Sequence, residues 1–360
     1  MNFLDYASTC PVVKYPQQLY RDVLGEGYFF NPNANYAYKE KHLLSEAEDR
    51  VKKAIGAKGG KVIFGGTSSQ LIENLVNAMR DKNNLYVICS AYEHDSVYRY
   101  AHKSIKKINR LDEELCGVES RGCNFMSTVF WQSVQNITGE IFPTIEVGQL
   151  CHKHRAFYIC DATAMIGHTN IPANIDSWCS AFIMDGHKLG TELGIGAMWI
   201  SDRLDKWLNG FKLHGTPNLT GALALTQAVE DACDTETIEK NDCHWTGLIN
   251  IFASLLTKNN IERTFVPSIF NDYSYAINAI RLPGFNARAL QSYLANKEIF
   301  IGLGQSSCAD ESDRRILCQG YGLSKQEADE VIRISFGVNS SVEDVEALVE
   351  EIKNFKELYL

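Results

Sequence analysis

Short apolar runs alternate with helical stretches over the first two thirds of the chain, and this alternation restricts the fold more than any other feature. The runs are rich in β-branched or aromatic residues and span 62–64, 85–89, 128–130, 156–160, 181–184 and 197–200. Buried strands separated by helices are typical of a mostly parallel sheet that is covered on both faces. Because ligands of such sheets bind beside the carboxyl ends of the strands, the residues that directly follow each run are the candidates for chemistry.

The remaining segments predict a second, smaller domain. The first 35 or so residues lack a clear pattern and are interpreted as an irregular arm, followed by a helix over 38–55. Residues 219–256 have the pattern of a long helix that could connect two domains, and the rest of the chain alternates strands with short helices. We therefore expect an α/β chain with a large domain over 16–229. Residues 230–360 would form a small α+β domain together with the N-terminal arm, 1–15.

The net charge of −9 gives the chain no general attraction for nucleic acid or for an anionic membrane. The sequence has no stretch near the ~18 apolar residues that a membrane-spanning helix needs. Residues 1–5 do not resemble the start of a secretory signal. Its eleven cysteines are scattered without Cys-x-x-Cys spacing, which favours reduced thiols over a disulfide framework. We expect a cytoplasmic protein without membrane contact and without direct nucleic-acid binding.

Glycine and hydroxyl residues follow the run 62–64 at the predicted start of a helix, where Thr67 and Ser68 stand. Free backbone N–H groups and the helix dipole favour a phosphate at such a position. An ordinary capped helix would have the same pattern, so this segment alone does not decide between the two.

Three titratable residues follow other runs: His94, Asp161 and Lys188. Each has an ordinary explanation, since His94 could be a packing residue, Asp161 a helix N-cap and Lys188 a surface lysine. Together with the predicted phosphate site, the three residues indicate a functional site more strongly than each does alone. A phosphate site, a carboxylate for a pyridinium nitrogen and an imine-forming lysine are what pyridoxal phosphate requires of a protein.

These residues belong to a longer series of blocks in which the sequence resembles the class V aminotransferase family, and within it the cysteine desulfurases of the NifS type. The similar blocks keep the family's order and spacing over nearly the whole chain. They are 4–9 (LDYAST), 31–34 (NPNA), 66–69 (GTSS), 93–94 (EH), 135–139 (QNITG), 161–162 (DA), 186–188 (GHK), 194–196 (GIG), 214–218 (HGTPN) and 333–337 (RISFG). The resemblance implies the fold type I of pyridoxal-phosphate-dependent transferases.

The resemblance also assigns the cofactor-binding residues. Lys188 would form the Schiff base, Asp161 would keep the pyridine nitrogen protonated, and His94 would stack on the ring and handle protons. The phosphate would be held by Thr67, Ser68 and His187. Thr216 would reach the phosphate of the neighbouring subunit's cofactor, which implies a homodimer.

Three further residues would serve the substrate, L-cysteine. Asn136 would lie near the ring oxygen and the substrate, and Arg333 would bind the substrate carboxylate, for which a planar guanidinium is well suited. Cys308 stands where these desulfurases carry the thiol that takes up sulfur. The implied reaction converts L-cysteine to L-alanine and leaves a persulfide on Cys308 for an acceptor protein.

Four positions depart from the family pattern: Tyr36, Ile137, Ala164 and Asp185. Asp185 is the most unusual, because a carboxylate beside a phosphate dianion repels it unless it turns away or meets a cation. These changes suggest a divergent branch, and a dedicated pathway such as DNA phosphorothioation is one hypothesis for the acceptor. Alternatives are a sulfur donor for iron–sulfur assembly or tRNA thiolation, another class V enzyme such as an aminotransferase or lyase, and a non-enzymatic binding protein.

Overall fold

The computed structural model describes residues 1–11, 21, 31, 33–82, 85–120, 126–266, 268–304 and 314–359. The chain divides into two compact units. The small unit comprises Met1–Cys10, Val134–Phe142 and Glu236–Leu360, and the large unit comprises Pro11–Ser133 and Pro143–Thr235.

The large unit alternates strands and helices. Its strands are β2 (Lys61–Gly65), β3 (Leu85–Ser90), β4 (Lys103–Ile105), β5 (Met126–Phe130), β6 (Phe157–Asp161), β7 (Ala181–Asp185) and β8 (Gly196–Ile200). Its helices are α1 (Tyr38–Ala54), α2 (Ser68–Arg80), α3 (Asp95–Tyr98), α4 (Ile108–Ser120), α5 (Thr144–Lys153), α6 (Asp202–Leu208) and α7 (Leu219–Ala232). All six apolar runs of the sequence are confirmed as strands, whereas the short strand β4 was not predicted.

These strands form one seven-stranded sheet in the order β2-β8-β7-β6-β5-β3-β4. Strand β8 is antiparallel to both of its neighbours, β2 and β7, and the other pairs are parallel. The predicted α/β class and mostly parallel sheet are confirmed. Because β2 runs in the same direction as β7, the carboxyl ends of β2, β3, β5, β6 and β7 all lie at one edge of the sheet.

The apolar face of α2 supplies much of the core of the large unit. Leu71, Leu75 and Met79 are fully buried and belong to one cluster with strand residues such as Val87 and Ile183. Burying such side chains stabilises the fold by about 1.5–3 kcal/mol each. This packing fixes the position of the amino end of α2 relative to the strands that it covers.

The small unit contains a five-stranded sheet in the order β1-β11-β12-β10-β9. Its strands are β1 (Asn2–Leu4), β9 (Thr264–Phe265), β10 (Ile277–Arg281), β11 (Ile299–Leu303) and β12 (Val331–Ser335). Its helices are α8 (Thr235–Lys258), α9 (Ala287–Ala295), α10 (Lys325–Asp329) and α11 (Val342–Tyr359). The first residue of α8 belongs to the large unit. Strand β1 pairs in parallel with β11. The start of the expected irregular arm is therefore an ordered strand.

Two features of the chain path differ from the sequence analysis. Residues 134–142, expected in the large domain, group with the small unit, where the carboxylate of Glu140 accepts hydrogen bonds from Ser268 Oγ at 2.9 Å and Tyr321 Oη at 2.7 Å. The expected long helix over 219–256 is two helices that are interrupted at 233–234, where Asp234 is of a residue type that favours a helix start. Among the described residues, no helix is both long and apolar enough to cross a membrane.

Candidate active site

The residues of the large unit that the sequence predicts for the active site lie at the edge of the sheet where the parallel strands end. Asp161 is the last residue of β6, Asp185 is the last residue of β7, and Lys188 lies in the 3₁₀ turn that follows β7. Register across the sheet pairs Gly65 of β2 with Gly196 of β8, and Gly196 with Asp185. The amino end of α2, which follows β2, is thereby brought beside the Lys188 turn.

The turn that carries Lys188 depends on Gly186. A Cβ at this position would stand 2.2 Å from Thr191 Oγ1 and 2.9 Å from the carbonyl oxygen of Ile195, which excludes any larger residue without a shift. The carbonyl of Gly186 accepts backbone hydrogen bonds from Leu189 and Thr191, and its N–H donates to Ile195. This close packing sets the position of Lys188, whose side chain is half-buried.

His168 is a neighbour of Lys188 that the sequence analysis missed. Burial lowers the pKa of His168, its hydrogen bond to the carbonyl of Ala164 opposes this shift, and the charge of Lys188 adds to the lowering. The neutral imidazole is therefore the favoured form beside the lysine. No motif pointed to His168, and only its position in the turn after β6 could have suggested it.

Asp161 presents its carboxylate at the end of β6. Oδ1 accepts a hydrogen bond from the backbone N–H of Thr163 at 3.0 Å, which holds the turn that follows the strand. Oδ2 accepts no hydrogen bond from the part of the chain that the structure describes. The helix N-cap alternative is wrong, because no helix directly follows Asp161 and residues 163–168 form turns. The second oxygen can accept a proton-bearing ring nitrogen, which is the geometry that the cofactor requires at this position.

His94 caps the short helix α3 with its own ring. Nδ1 lies 3.1 Å from the backbone nitrogen of Ser96 and 2.9 Å from Ser96 Oγ. Because the backbone N–H must donate, Nδ1 is the acceptor, and a neutral ring carries its proton on Nε2. With this tautomer His94 offers a proton at Nε2, and the proton-handling role that the resemblance implies for it stays a prediction.

Thr67 and Ser68 stand at the amino end of α2, where the sequence predicted a phosphate site. Thr67 is the N-cap, and it forms a reciprocal capping box with Gln70. The backbone N–H of Ser68 donates to Asp185 Oδ2 at 2.8 Å. A carboxylate of the protein thus uses one of the backbone donors that a phosphate would use.

Asp185 is almost fully buried, and its second oxygen, Oδ1, has no hydrogen-bond donor among the described residues. One cationic candidate is His187, whose Nε2 lies 3.7 Å from Oδ1. Burial lowers the pKa of His187, Asp185 opposes this shift, and Lys188 adds to it. The neutral form of His187 is favoured, so the negative charge of Asp185 is not balanced by this ring.

Thr216 lies apart from these residues in an exposed segment between α6 and α7. The preceding Gly215 has a φ of +112°, which favours glycine, and its carbonyl accepts a hydrogen bond from Asn33 Nδ2. The exposed position is compatible with a contact to a second subunit, which stays a prediction.

The small unit brings together Arg333 and Asn136. Arg333 Nη1 donates to the carbonyl of Asn136 at 2.9 Å, and Nη2 donates to Asp5 Oδ1 at 2.8 Å and to Ser8 Oγ. Nε is buried and has no hydrogen-bond partner among the described residues. An unsatisfied buried N–H of a guanidinium is a donor for a carboxylate. The pairing with Asp5 and Ser8 was missed, although both residues lie in the block 4–9.

Of the other departures from the family pattern, Ile137 is explained by its burial in the apolar cluster of the small unit, with Ala279 and Val331. The backbone carbonyl of Ala164 accepts the hydrogen bond of His168 and Tyr36 is exposed, but neither fact explains the side chain at that position. Cys308 lies outside the described residues.

The family model Aminotransferase class-V matches residues 3–348. The chain belongs to this family. It is therefore a pyridoxal-phosphate-dependent enzyme, and Lys188, Asp161 and the amino end of α2 fit that cofactor in kind. Asp185, by contrast, would oppose a phosphate bound at the amino end of α2.

Among curated proteins, this family member is 24% identical to a putative cysteine desulfurase IscS 1 of Bacillus subtilis, covering 97% of each chain. It is 25% identical to a cysteine desulfurase IscS of Clostridium botulinum, covering 89% of this chain and 86% of that protein. Among solved structures, a NifS-like protein from Rickettsia africae matches with a TM-score of 0.83 and 20% identity, covering 99% of this chain and 100% of that one. A structure described as SspA in complex with cysteine matches with a TM-score of 0.71 and 17% identity, covering 93% and 99%. The structural matches confirm the fold.

Proposed function

We propose that this enzyme is a cysteine desulfurase, which removes the sulfur of L-cysteine, releases L-alanine and carries the sulfur as a persulfide on Cys308. The observation that carries the proposal is the guanidinium of Arg333, whose buried Nε–H lacks a partner among the described residues and suits the carboxylate of an amino acid. The desulfurase names of the curated relatives support the same substrate. The residues of the large unit supply the cofactor chemistry.

When it is bound, pyridoxal phosphate provides an electron sink that makes the bonds around the α-carbon of an amino acid labile. Asp161 would keep the ring nitrogen protonated through its second oxygen. Lys188 would hold the cofactor and supply the base for the α-proton of the substrate. His94 donates a proton from Nε2, which is the role that its tautomer favours.

Sulfur transfer requires a nucleophile on the protein. The thiolate of Cys308 attacks the sulfur of L-cysteine, so that an S–S bond forms and the bond between Cβ and sulfur breaks. The electron pair of the broken bond stays with Cβ, which gains a proton and becomes the methyl group of alanine. Overall, the thiol and cysteine become the persulfide and alanine, and no external oxidant or reductant is consumed.

The test compares alanine and sulfide released from L-cysteine in the presence of a reductant. The wild type should release both in equal amounts, whereas Lys188→Ala and Cys308→Ala should release neither. Cys243→Ser, which changes an exposed cysteine of α8, is the matched control and should keep full activity. Unchanged turnover of amino acids by Cys308→Ala would instead favour an aminotransferase or a lyase of the same family.

The partners of the reaction are also proposals. A homodimer with Thr216 at the shared interface would follow if Thr216→Ala lowers cofactor affinity only in the associated protein. The acceptor is proposed to belong to a dedicated pathway, such as DNA phosphorothioation, because the site carries Asp185 and Ala164 in place of the family's residues. Pull-down of an acceptor by the persulfide form tests this, and a housekeeping iron–sulfur scaffold as sole partner would contradict it.

A further inference from the structure

A cysteine, a histidine and an aspartate meet at the edge of the large unit opposite to the cofactor site. Asp112 and Cys116 lie four residues apart on α4, and His154 directly follows α5. Helices α4 and α5 precede strands β5 and β6, so this cluster lies near the amino ends of the strands. Asp161 and Lys188 lie at the carboxyl ends.

The three side chains offer one ligand atom each within 4.8 Å of one another. Asp112 Oδ1 is 2.7 Å from His154 Nε2, and Cys116 Sγ is 3.9 Å from the same nitrogen. In a tetrahedral zinc site with ordinary bond lengths, ligand atoms stand about 3.3–3.7 Å apart. These two separations would need adjustments of under about 1 Å, and the third, between the ligand atoms of Cys116 and Asp112, is at most 4.8 Å.

A second observation points to a metal. The other ring nitrogen of His154, Nδ1, lies 3.1 Å from the carboxylate of Glu119, and the side chain of His154 is 4% exposed. A carboxylate that accepts the distal N–H of a histidine orients the ring and makes its other nitrogen a better ligand, as in many zinc sites. Glu119 occupies that supporting position.

We propose that Asp112, Cys116 and His154 form a binding site for Zn²⁺, with Glu119 orienting His154. Thiolate, imidazole and carboxylate together are a ligand set that zinc accepts, and three protein ligands leave one coordination position for water. The negative charges of Asp112, Glu119 and the Cys116 thiolate would balance the charges of the metal and of a neighbouring lysine. The ammonium of Lys153 lies 2.8 Å from Asp112 Oδ1 and 3.1 Å from Oδ2. Lys153 competes with the metal for Asp112, which gives the proposal a distinctive test.

The experiment titrates Zn²⁺ into the reduced, metal-stripped holoenzyme against a chromophoric chelator. All proteins carry Cys308→Ser, which removes the proposed sulfur-carrying thiol. One equivalent should bind, and Cys116→Ser should abolish this binding. Glu119→Gln should weaken it about 10–100-fold, while Lys153→Met should tighten it about two- to fivefold by removing the competing ion pair. Cys243→Ser is the control for an exposed cysteine elsewhere and should change nothing.

Co²⁺ provides an independent readout, because its d–d bands lie at the red end of the visible spectrum, away from the cofactor's absorption. Intense tetrahedral bands that disappear in Cys116→Ser are expected. Equal affinity in Cys116→Ser and the parent protein would overturn the site. So would no binding at all, which would leave His154 as an imidazole held between two carboxylates without metal.

Discussion

The carboxylate of Asp185 accepts a hydrogen bond from the backbone N–H of Ser68, with 2.8 Å between Oδ2 and the nitrogen. This contact places a buried negative charge at the amino end of α2, where a helix dipole and free N–H groups would otherwise attract a phosphate. A cofactor phosphate bound at this end, as the sequence predicts, would therefore face an anion of the enzyme's own.

Replacement of Asp185 by Ser should tighten cofactor binding. Removing about 1.4 kcal/mol of repulsion corresponds to a tenfold lower dissociation constant, and we expect at least about that gain. The dissociation constant of pyridoxal phosphate is measured by titrating the cofactor-free protein and following the visible absorbance. Asp176→Asn is the matched control. The carboxylate of Asp176 also accepts hydrogen bonds from backbone N–H groups, those of Lys58 and Gly59, but Asp176 precedes β7 and so lies away from the strand ends where the cofactor is predicted. Unchanged or weaker cofactor binding by Asp185→Ser would contradict the competition.

Gly186→Ala should disturb the turn that positions Lys188. The added Cβ would meet Thr191 Oγ1 at 2.2 Å, so the turn must shift. We expect the cofactor content of the purified protein to fall at least about tenfold, as measured by visible absorbance. Gly247→Ala in α8 is the control: it meets nothing within 4 Å and should stabilise the helix by about 0.5–1 kcal/mol. Full cofactor content in Gly186→Ala would argue against the role of this turn.

Arg333→Lys should raise the KM for L-cysteine about 10–100-fold, because the ammonium keeps the charge but loses the planar set of donors. Cysteamine, which lacks the carboxylate, provides the discriminating measurement: its binding should be nearly the same in both proteins. Arg281→Lys on the neighbouring strand β10, where Arg281 pairs with Glu330 and Glu327, should leave KM unchanged. A similar loss for cysteamine and L-cysteine would point to a structural role of Arg333.

Stability should depend on pH through His168. Burial lowers the pKa of His168 below its ordinary value of 6.5, so the unfolded state binds more protons than the native state as the pH falls through that value. The stabilisation that comes from a neutral, buried His168 is complete above about pH 7 and is lost as the pH falls below about 6.5. The free energy of unfolding can change through this one group by at most about 1.4 kcal/mol per pH unit. His168→Gln, whose amide can still donate to the Ala164 carbonyl, should flatten this dependence in urea unfolding. An identical slope in the variant would contradict the prediction.

Much of the fold was predictable because buried apolar runs mark strands directly, and six such runs are strands of the large unit. Residues after those runs, such as Asp161 and Lys188, were predictable for the same reason. The contact between Asp185 and Ser68 was not predictable from the sequence. It depends on the antiparallel strand β8, which lies between β2 and β7 and so brings the segments after these two strands together.

The pairing of Arg333 with Asp5 joins residues 328 positions apart, and no local pattern encodes such a contact. The tautomer of His94 was also hidden, since it follows from a cap formed with Ser96. In each case the residue type was informative, whereas its partner required the fold.

The most direct test of the proposed desulfurase is a single turnover without reductant. The loaded enzyme, mixed with one equivalent of L-cysteine per protomer, should release one alanine per protomer, and the peptide that contains Cys308 should gain the mass of one sulfur atom. Alanine formation without added sulfur on that peptide, or an equal burst from Cys308→Ala, would contradict the account.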